Sequence, residues 1–379
     1  MTARRHVPLI VPDLPDFDEV ADRFREILDN GRITNFGRYV TEFEQELGRY
    51  VGAHAVTTSS GTMGLLFALQ AMGITRGTRV IVPSFTFMAT AQAIVYAGAR
   101  PLFADVGEDL TMDSLDLATL LDQNADASMV VPVHMYGLPC DTEAITRVVN
   151  AYARPERPIG VVYDAAHAFG SARAGRVVGS SGHAEVFSLS VTKALVAVEG
   201  GAVTSRDAGL IERIRHMRNY GIEASYDAWY PGLNGKMSEF HAIVGLANLR
   251  RLGQRLEQRQ IQARNYAARI NERTVYRVLE APGNVRHTYK DFSVLIPDAL
   301  VSKRETMITR LQELGIETRA YFFPPVHEQQ WFRTYADRPL PRTESLARRV
   351  LTLPFYTRMS DDDMDHVVDG LLKVYKELA

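Results

Sequence analysis

The sequence predicts an α/β fold: a mostly parallel seven-stranded sheet flanked by helices, followed by a smaller α+β C-terminal domain. Three observations predict it. From about residue 50 to 220, short apolar runs alternate with longer segments of helical period. Those runs are apolar on both faces, as strands covered by helices on both sides must be. Beyond them, one long helical stretch leads into a shorter mixed pattern.

In chain order, Ala55–Thr58 reads as a strand, and Thr62–Met72 as a helix with Leu65, Leu66, Leu69 and Met72 on one face. Arg79–Pro83 (strand), Thr86–Tyr96 (helix) and Pro101–Asp105 (strand) follow. The apolar runs Met129–Val133, Ile159–Tyr163, Glu185–Leu189 and Gly201–Thr204 continue the strand series. Met237–Arg273 reads as one helix with an apolar face of Phe240, Val244, Ala247 and Leu252, and its arginines between Arg250 and Arg259 are expected on a solvated face. The second domain carries a strand at Asp291–Ile296 and a helix at Lys303–Leu314. In its last helix Ser360 is the N-cap, Asp361–Asp363 sit at the positive end, and Lys373 and Lys376 lie toward the negative one. The expected division is an N-terminal segment 1–15, a large domain 16–245 and a small domain 246–379.

Composition removes several classes of function. The 379 residues hold 43 Lys+Arg against 45 Asp+Glu, so neither a nucleic acid nor a membrane surface is an expected partner. The single cysteine, Cys140, excludes an internal disulfide and a cysteine-rich metal or iron–sulfur site. With no 18-residue apolar run and no apolar stretch behind the N-terminal arginines, a cytoplasmic enzyme is expected. Only six of the basic residues are lysines: Lys193, Lys236, Lys290, Lys303, Lys373 and Lys376. In so arginine-rich a chain, a lysine among apolar residues raises the question of what an amine does that a guanidinium does not.

In open α/β sheets ligands sit beyond the carboxyl ends of the strands. Ser60-Gly61-Thr62 there leads into a helix, so its N–H groups and hydroxyls suit a phosphate, or serve simply as a helix cap. Ser188 adds a hydroxyl. Asp164, after an apolar strand and before a small-residue segment read as a helix, is either an N-cap or the carboxylate that keeps a pyridinium nitrogen protonated. His167 would then lie one turn further on the same face. Lys193 stands between an apolar strand and Ala194–Val198, where an unpartnered ammonium is costly and a lowered pKa makes the amine a nucleophile toward an aldehyde. No glycine-rich dinucleotide fingerprint, Walker A loop, Gly-x-Ser-x-Gly elbow or His-Glu-x-x-His occurs, and His134 with Cys140 has no further ligand cluster near it. Phosphate hydroxyls, an aromatic ring, a carboxylate and a lone lysine fit pyridoxal 5'-phosphate (PLP), with no metal.

At these residues the sequence resembles the DegT/DnrJ/EryC1/StrS group of PLP-dependent sugar aminotransferases, of fold type I. The resemblance rests on Phe43-Glu44, Ser60–Thr62, Pro83–Phe87, Pro132–Gly137 and Asp164–Ala168. It continues through Phe187-Ser188, Lys193, Glu199–Gly201, Gly232–Met237 and Leu353-Pro354. It implies that Lys193 carries the cofactor as a Schiff base, Asp164 pairs with the pyridine nitrogen, Phe87 stacks on the ring and His167 contacts the 3-hydroxyl. Ser60, Gly61, Thr62 and Ser188 would form the phosphate cradle. Asn234 and Lys236 would reach into the partner protomer's site of a homodimer, Lys236 standing where relatives more often have Arg. The intact Lys193 argues against the dehydratase branch, in which His replaces it. The expected reaction moves an amino group from L-glutamate or glutamine to a nucleotide-linked keto-deoxysugar, dTDP preferred, at C4 in preference to C3. Tyr321, Phe322 and His327 are candidates for the sugar-nucleotide cleft. The alternatives are a cyclitol (inosose-type) aminotransferase and a non-catalytic PLP-fold regulatory protein.

Overall fold

The computed structural model describes residues 5–379. Seven strands form the large sheet: β1 (His54–Thr58), β2 (Arg79–Pro83), β3 (Arg100–Ala104), β4 (Ala127–Val130), β5 (Gly160–Asp164), β6 (Ala184–Ser188) and β7 (Gly201–Ser205). Their spatial order is β1-β7-β6-β5-β4-β2-β3. All pairs are parallel except those of β7, which runs antiparallel to both β1 and β6. The reversal matters for the site, because β7 begins at the edge where the others end.

The sheet's two faces are sealed by different helices. Helix Gly61–Ala71 is so apolar that Leu65, Leu66, Phe67 and Leu69 are all buried, packed with Val80, Val82, Val186 and Val203. On the other side helix Arg38–Val51 and the first half of the long helix Glu239–Arg273 enclose Phe43, Leu47, Phe187 and Leu246. This explains why the strands show no two-residue alternation: neither face meets water.

The long helix has 35 residues, about 50 Å at 1.5 Å per residue. The boundary expected at 245/246 falls inside it. Its second half, through Ala263, Tyr266 and Ile270, belongs to the small domain's core. That domain has a three-stranded antiparallel sheet, β8 (Arg277–Val278), β9 (Phe292–Leu295) and β10 (Val350–Leu353), in that order. Helices Arg304–Glu313 and Asp361–Leu378 cover it. Ser360 is the N-cap of the latter, accepting from the Asp363 amide at 3.1 Å. The N-terminal segment is no separate piece: Val7 bridges to Ile316 and is buried in the small domain's core.

Two expectations about the arginines and the Asp164 segment need correcting. Arg255 and Arg259 of the long helix are buried. Arg259 donates through Nε to the Thr288 carbonyl at 2.9 Å and through Nη2 to the Tyr289 carbonyl, so it grips a loop, while Arg250 is exposed as expected and Arg251 is partly so. The segment after Asp164 is a run of tight turns, and no helix follows. Its Asp164 side chain accepts from the Ala166 amide at 3.0 Å, a local bond that Asp forms in place of helical pairing.

Candidate active site

The carboxyl ends of β1, β2, β5 and β6 converge on a cavity of about 380 Å³. At one wall, Ser60 caps helix Gly61–Ala71, its hydroxyl accepting from the Met63 amide at 3.2 Å. Gly61 lies so close to Ser188 that an added Cβ would stand 3.0 Å from the serine Cβ. At Gly201 a Cβ would stand 2.4 Å from the Ser60 carbonyl oxygen. Backbone approach requires Gly201 and leaves little room at Gly61, and the close packing brings the hydroxyls of Ser60, Thr62 and Ser188 to one helix N-terminus, an anion-binding arrangement.

Asp164 closes β5 and is buried. Its Oδ2 accepts from Thr90 Oγ1 at 2.7 Å, and Thr86 Oγ1 lies 2.9 Å from the same Thr90 oxygen. The single Thr90 proton goes to the carboxylate, so Thr86 is the donor behind it and the three groups form a chain. Burial pushes the Asp164 carboxyl up, against the Thr90 hydroxyl and Ala166 amide that pull it down. An uncompensated carboxylate at a cavity wall calls for a cationic ligand group.

Lys193 lines the same cavity, its amide bonded to the Ser190 carbonyl at 2.9 Å. Burial and, next, the Lys290 charge push its amine down to about 8. About a tenth is then neutral at pH 7, enough for an amine that must attack a carbonyl. His167 is buried, and burial pushes its imidazole well below the ordinary range, so it is neutral. Among the described residues its Nδ1 has no hydrogen-bond partner, an orphan polar atom in the cavity's lining. Phe87 is 49% exposed at the mouth and packs on Phe322 at 5.7 Å between ring centroids.

Eight of the candidates from the large domain thus meet at one cavity, with Tyr321 and Phe322 from the small domain on its rim. The others do not. His327 is buried behind β2, hydrogen-bonded through Nδ1 to Ser84 at 2.6 Å with Glu344 3.5 Å from its other nitrogen. Asn234 is exposed, and Lys236 donates to Asn219 at 3.2 Å and sits over the Tyr220 ring. Neither lines this chain's own cavity. Sequence reasoning missed Thr90, Glu199 and Lys290. Thr90 lies one helical turn past Phe87, a spacing that offered it. Lys290 was one of the six scarce lysines. Glu199 reaches the site because β7 runs backwards, which no local pattern states.

The arrangement suits an aromatic aldehyde bearing a phosphate and a basic ring nitrogen: a cradle for the anion, a carboxylate for the nitrogen, a depressed amine for the aldehyde and an orphan imidazole for a hydroxyl. Fold and site together define a PLP-dependent transferase of the aminotransferase type. The chain belongs to the DegT/DnrJ/EryC1/StrS aminotransferase family, whose model matches residues 16–372. It is 31% identical to the dTDP-4-amino-4,6-dideoxy-D-glucose transaminase of Escherichia coli over 97% of this chain and 98% of that one. It is also 31% identical to the UDP-N-acetyl-3-dehydro-alpha-D-glucosamine 3-aminotransferase of Acidithiobacillus ferrooxidans, over 97% of each. The crystal structure of DesI in the presence of its TDP-sugar product superposes with a TM-score of 0.90 at 35% identity, covering 98% of this chain and 94% of that one. The protein is a PLP-dependent sugar aminotransferase. Among the described residues no helix is long and apolar enough to cross a membrane.

Proposed function

We propose that the enzyme transfers an amino group from L-glutamate or glutamine to the C4 ketone of a dTDP-linked deoxysugar, working as a homodimer in the cytoplasm. The observation that carries the reading is the convergence of Lys193, Asp164 and the Ser60–Thr62 helix end on one cavity. The hydroxyls of Ser60, Thr62 and Ser188 with the Gly61 amide hold the cofactor phosphate. Asp164, supported by Thr90, pairs with the ring nitrogen and keeps it protonated. Phe87 would lie against the ring and His167 would meet the ring hydroxyl. When bound, PLP supplies an electrophilic carbon for the incoming amine and a conjugated ring that withdraws electrons. Lys193 would hold the cofactor's aldehyde carbon, and its Nζ, once free, would take the proton from the donor α-carbon. In the second half-reaction the same nitrogen delivers a proton to the sugar carbon that receives the amine. Asn234 and Lys236, away from this chain's cavity, complete the partner protomer's site.

Purified protein is offered 4-keto and 3-keto nucleotide sugars and an inosose with each donor, the products being read by mass spectrometry. Amination of the 4-keto sugar is expected. Turnover of the cyclitol alone would replace the substrate, and C3 amination alone would replace the regiochemistry. Borohydride reduction and peptide mapping are expected to find cofactor mass on Lys193. Cofactor mass on another lysine overturns the assignment.

A further inference from the structure

We propose that Lys290 is the group that grips the donor amino acid's carboxylate. This deepens the aminotransfer reading above and rests on it. The chain has 37 arginines, yet none among the described residues lines the cavity; the cationic residues that do are Lys193 and Lys290. Once Lys193 is committed to the cofactor, Lys290 is the remaining charge from this chain that can meet a carboxylate drawn out of water, which is costly to bury unpaired.

The geometry around Lys290 is that of a held donor. The residue is buried, and its Nζ donates to Asp291 Oδ1 at 2.8 Å, its one hydrogen bond among the described residues. An ammonium has three protons, so two remain for a ligand. The nitrogen lies 5.4 Å from the centre of the Tyr321 ring, itself on the cavity rim.

The backbone is fixed on every side. The Lys290 amide donates to the Tyr136 carbonyl at 3.0 Å, Thr288 Oγ1 to the His167 carbonyl at 2.7 Å, and the buried Arg259 to the carbonyls of Thr288 and Tyr289. Tyr289 and Tyr136 both have left-handed backbones, with φ of 48° and 56°. Non-glycine residues hold such conformations at a cost that surrounding contacts must offset, and they collect at ligand clamps. The small domain thus delivers an amine over a cavity whose floor belongs to the large one. A neutral sugar ring needs no cation there, and a donor carboxylate does. The nucleotide's pyrophosphate is the rival anion, and the two half-reactions separate them.

The test compares wild-type holoenzyme with Lys290→Met and Lys290→Arg. Lys290→Met strands the buried Asp291 carboxylate, so Lys290→Met with Asp291→Asn provides a second, charge-balanced variant. Maleate, a dicarboxylate with no amine to transfer, is titrated by calorimetry. Its affinity is expected to fall about 10- to 100-fold in both Met variants and to recover in part in Lys290→Arg. Single-turnover absorbance then follows the donor and sugar half-reactions separately. The saturation constant for L-glutamate is expected to rise about 10- to 100-fold, well beyond any change for the keto-sugar. Unchanged maleate affinity, or a loss equal in both half-reactions or confined to the sugar one, overturns the assignment. If the wild-type takes an amino group from no amino acid, the proposed function fails, while the maleate titration still decides Lys290.

Discussion

Replacing Lys193 by methionine should make the apoprotein more stable while abolishing its chemistry. In an unfolded chain this amine binds its proton with a pKa of about 10.5; in the fold burial lowers it to about 8. At 1.36 kcal/mol per pKa unit, holding the ammonium in the cavity costs about 3 kcal/mol, and partial solvation of the half-buried side chain trims this to about 2. Because the folded pKa lies below the unfolded one, the cost is fully present below pH 8. It shrinks as pH rises from 8 to 10.5, where the folded amine is already neutral and the unfolded one is not, and it vanishes above that. The assay is the difference in unfolding free energy between the two apoproteins, from guanidinium titrations at pH 7 and pH 10.5. Lys193→Met should be about 2 kcal/mol more stable at pH 7 and nearly equal at pH 10.5. A variant no more stable than wild type at pH 7, or one whose advantage does not shrink with pH, would refute the claim that this amine is held deprotonation-ready by desolvation.

Thr90→Val removes the hydroxyl that supports Asp164 without changing volume, and should weaken PLP binding about 10-fold, the loss of one hydrogen bond to a charged group. Fluorescence titration of the apoprotein measures it, and an unchanged affinity removes Thr90 from the site. Mixing Lys193→Ala with Asn234→Ala protomers, each inactive alone, should restore about a quarter of wild-type activity, since half the dimers then carry one intact site; no recovery after proven exchange would mean each site is built from one chain. His327→Ala should cost about 1–3 kcal/mol of stability through the stranded Ser84 and Glu344 while leaving KM for the sugar nucleotide within twofold. A tenfold rise in that KM, with urea midpoints unchanged, would return His327 to the substrate cleft.

The large sheet was legible because strands buried on both faces announce themselves as continuous apolar runs, and each of the seven lies within three residues of its expected place. The cradle and Asp164–Lys193 were legible because ligand groups in such sheets follow strand ends, which are local in sequence. What escaped was tertiary. Lys290 becomes part of the cavity only when the small domain folds back over the large one, and Glu199 only because β7 is reversed. Arg259 looked like a surface residue because nothing in its own helix reveals the two carbonyls it meets from residues 288 and 289. His327 sat in a sequence of aromatics and prolines that suggested a cleft. Its ring is instead spent on Ser84, a partner 243 positions away. The turns after Asp164 were mistaken for a helix because small residues favour helices, whereas the aspartate's own bond to Ala166 competes with helix formation.

The helix Glu239–Arg273 passes through both hydrophobic cores without a break. Such a rod is a stiff strut between the two lobes, and prising them apart would mean snapping it or tearing one end out of its packing. The aromatic rings of Phe87, Tyr321 and Phe322 stand together at the cavity whose two lobes this strut holds in fixed register. The same strut ties the fates of the lobes, so heat should melt the apoprotein in one endotherm and not in two successive ones.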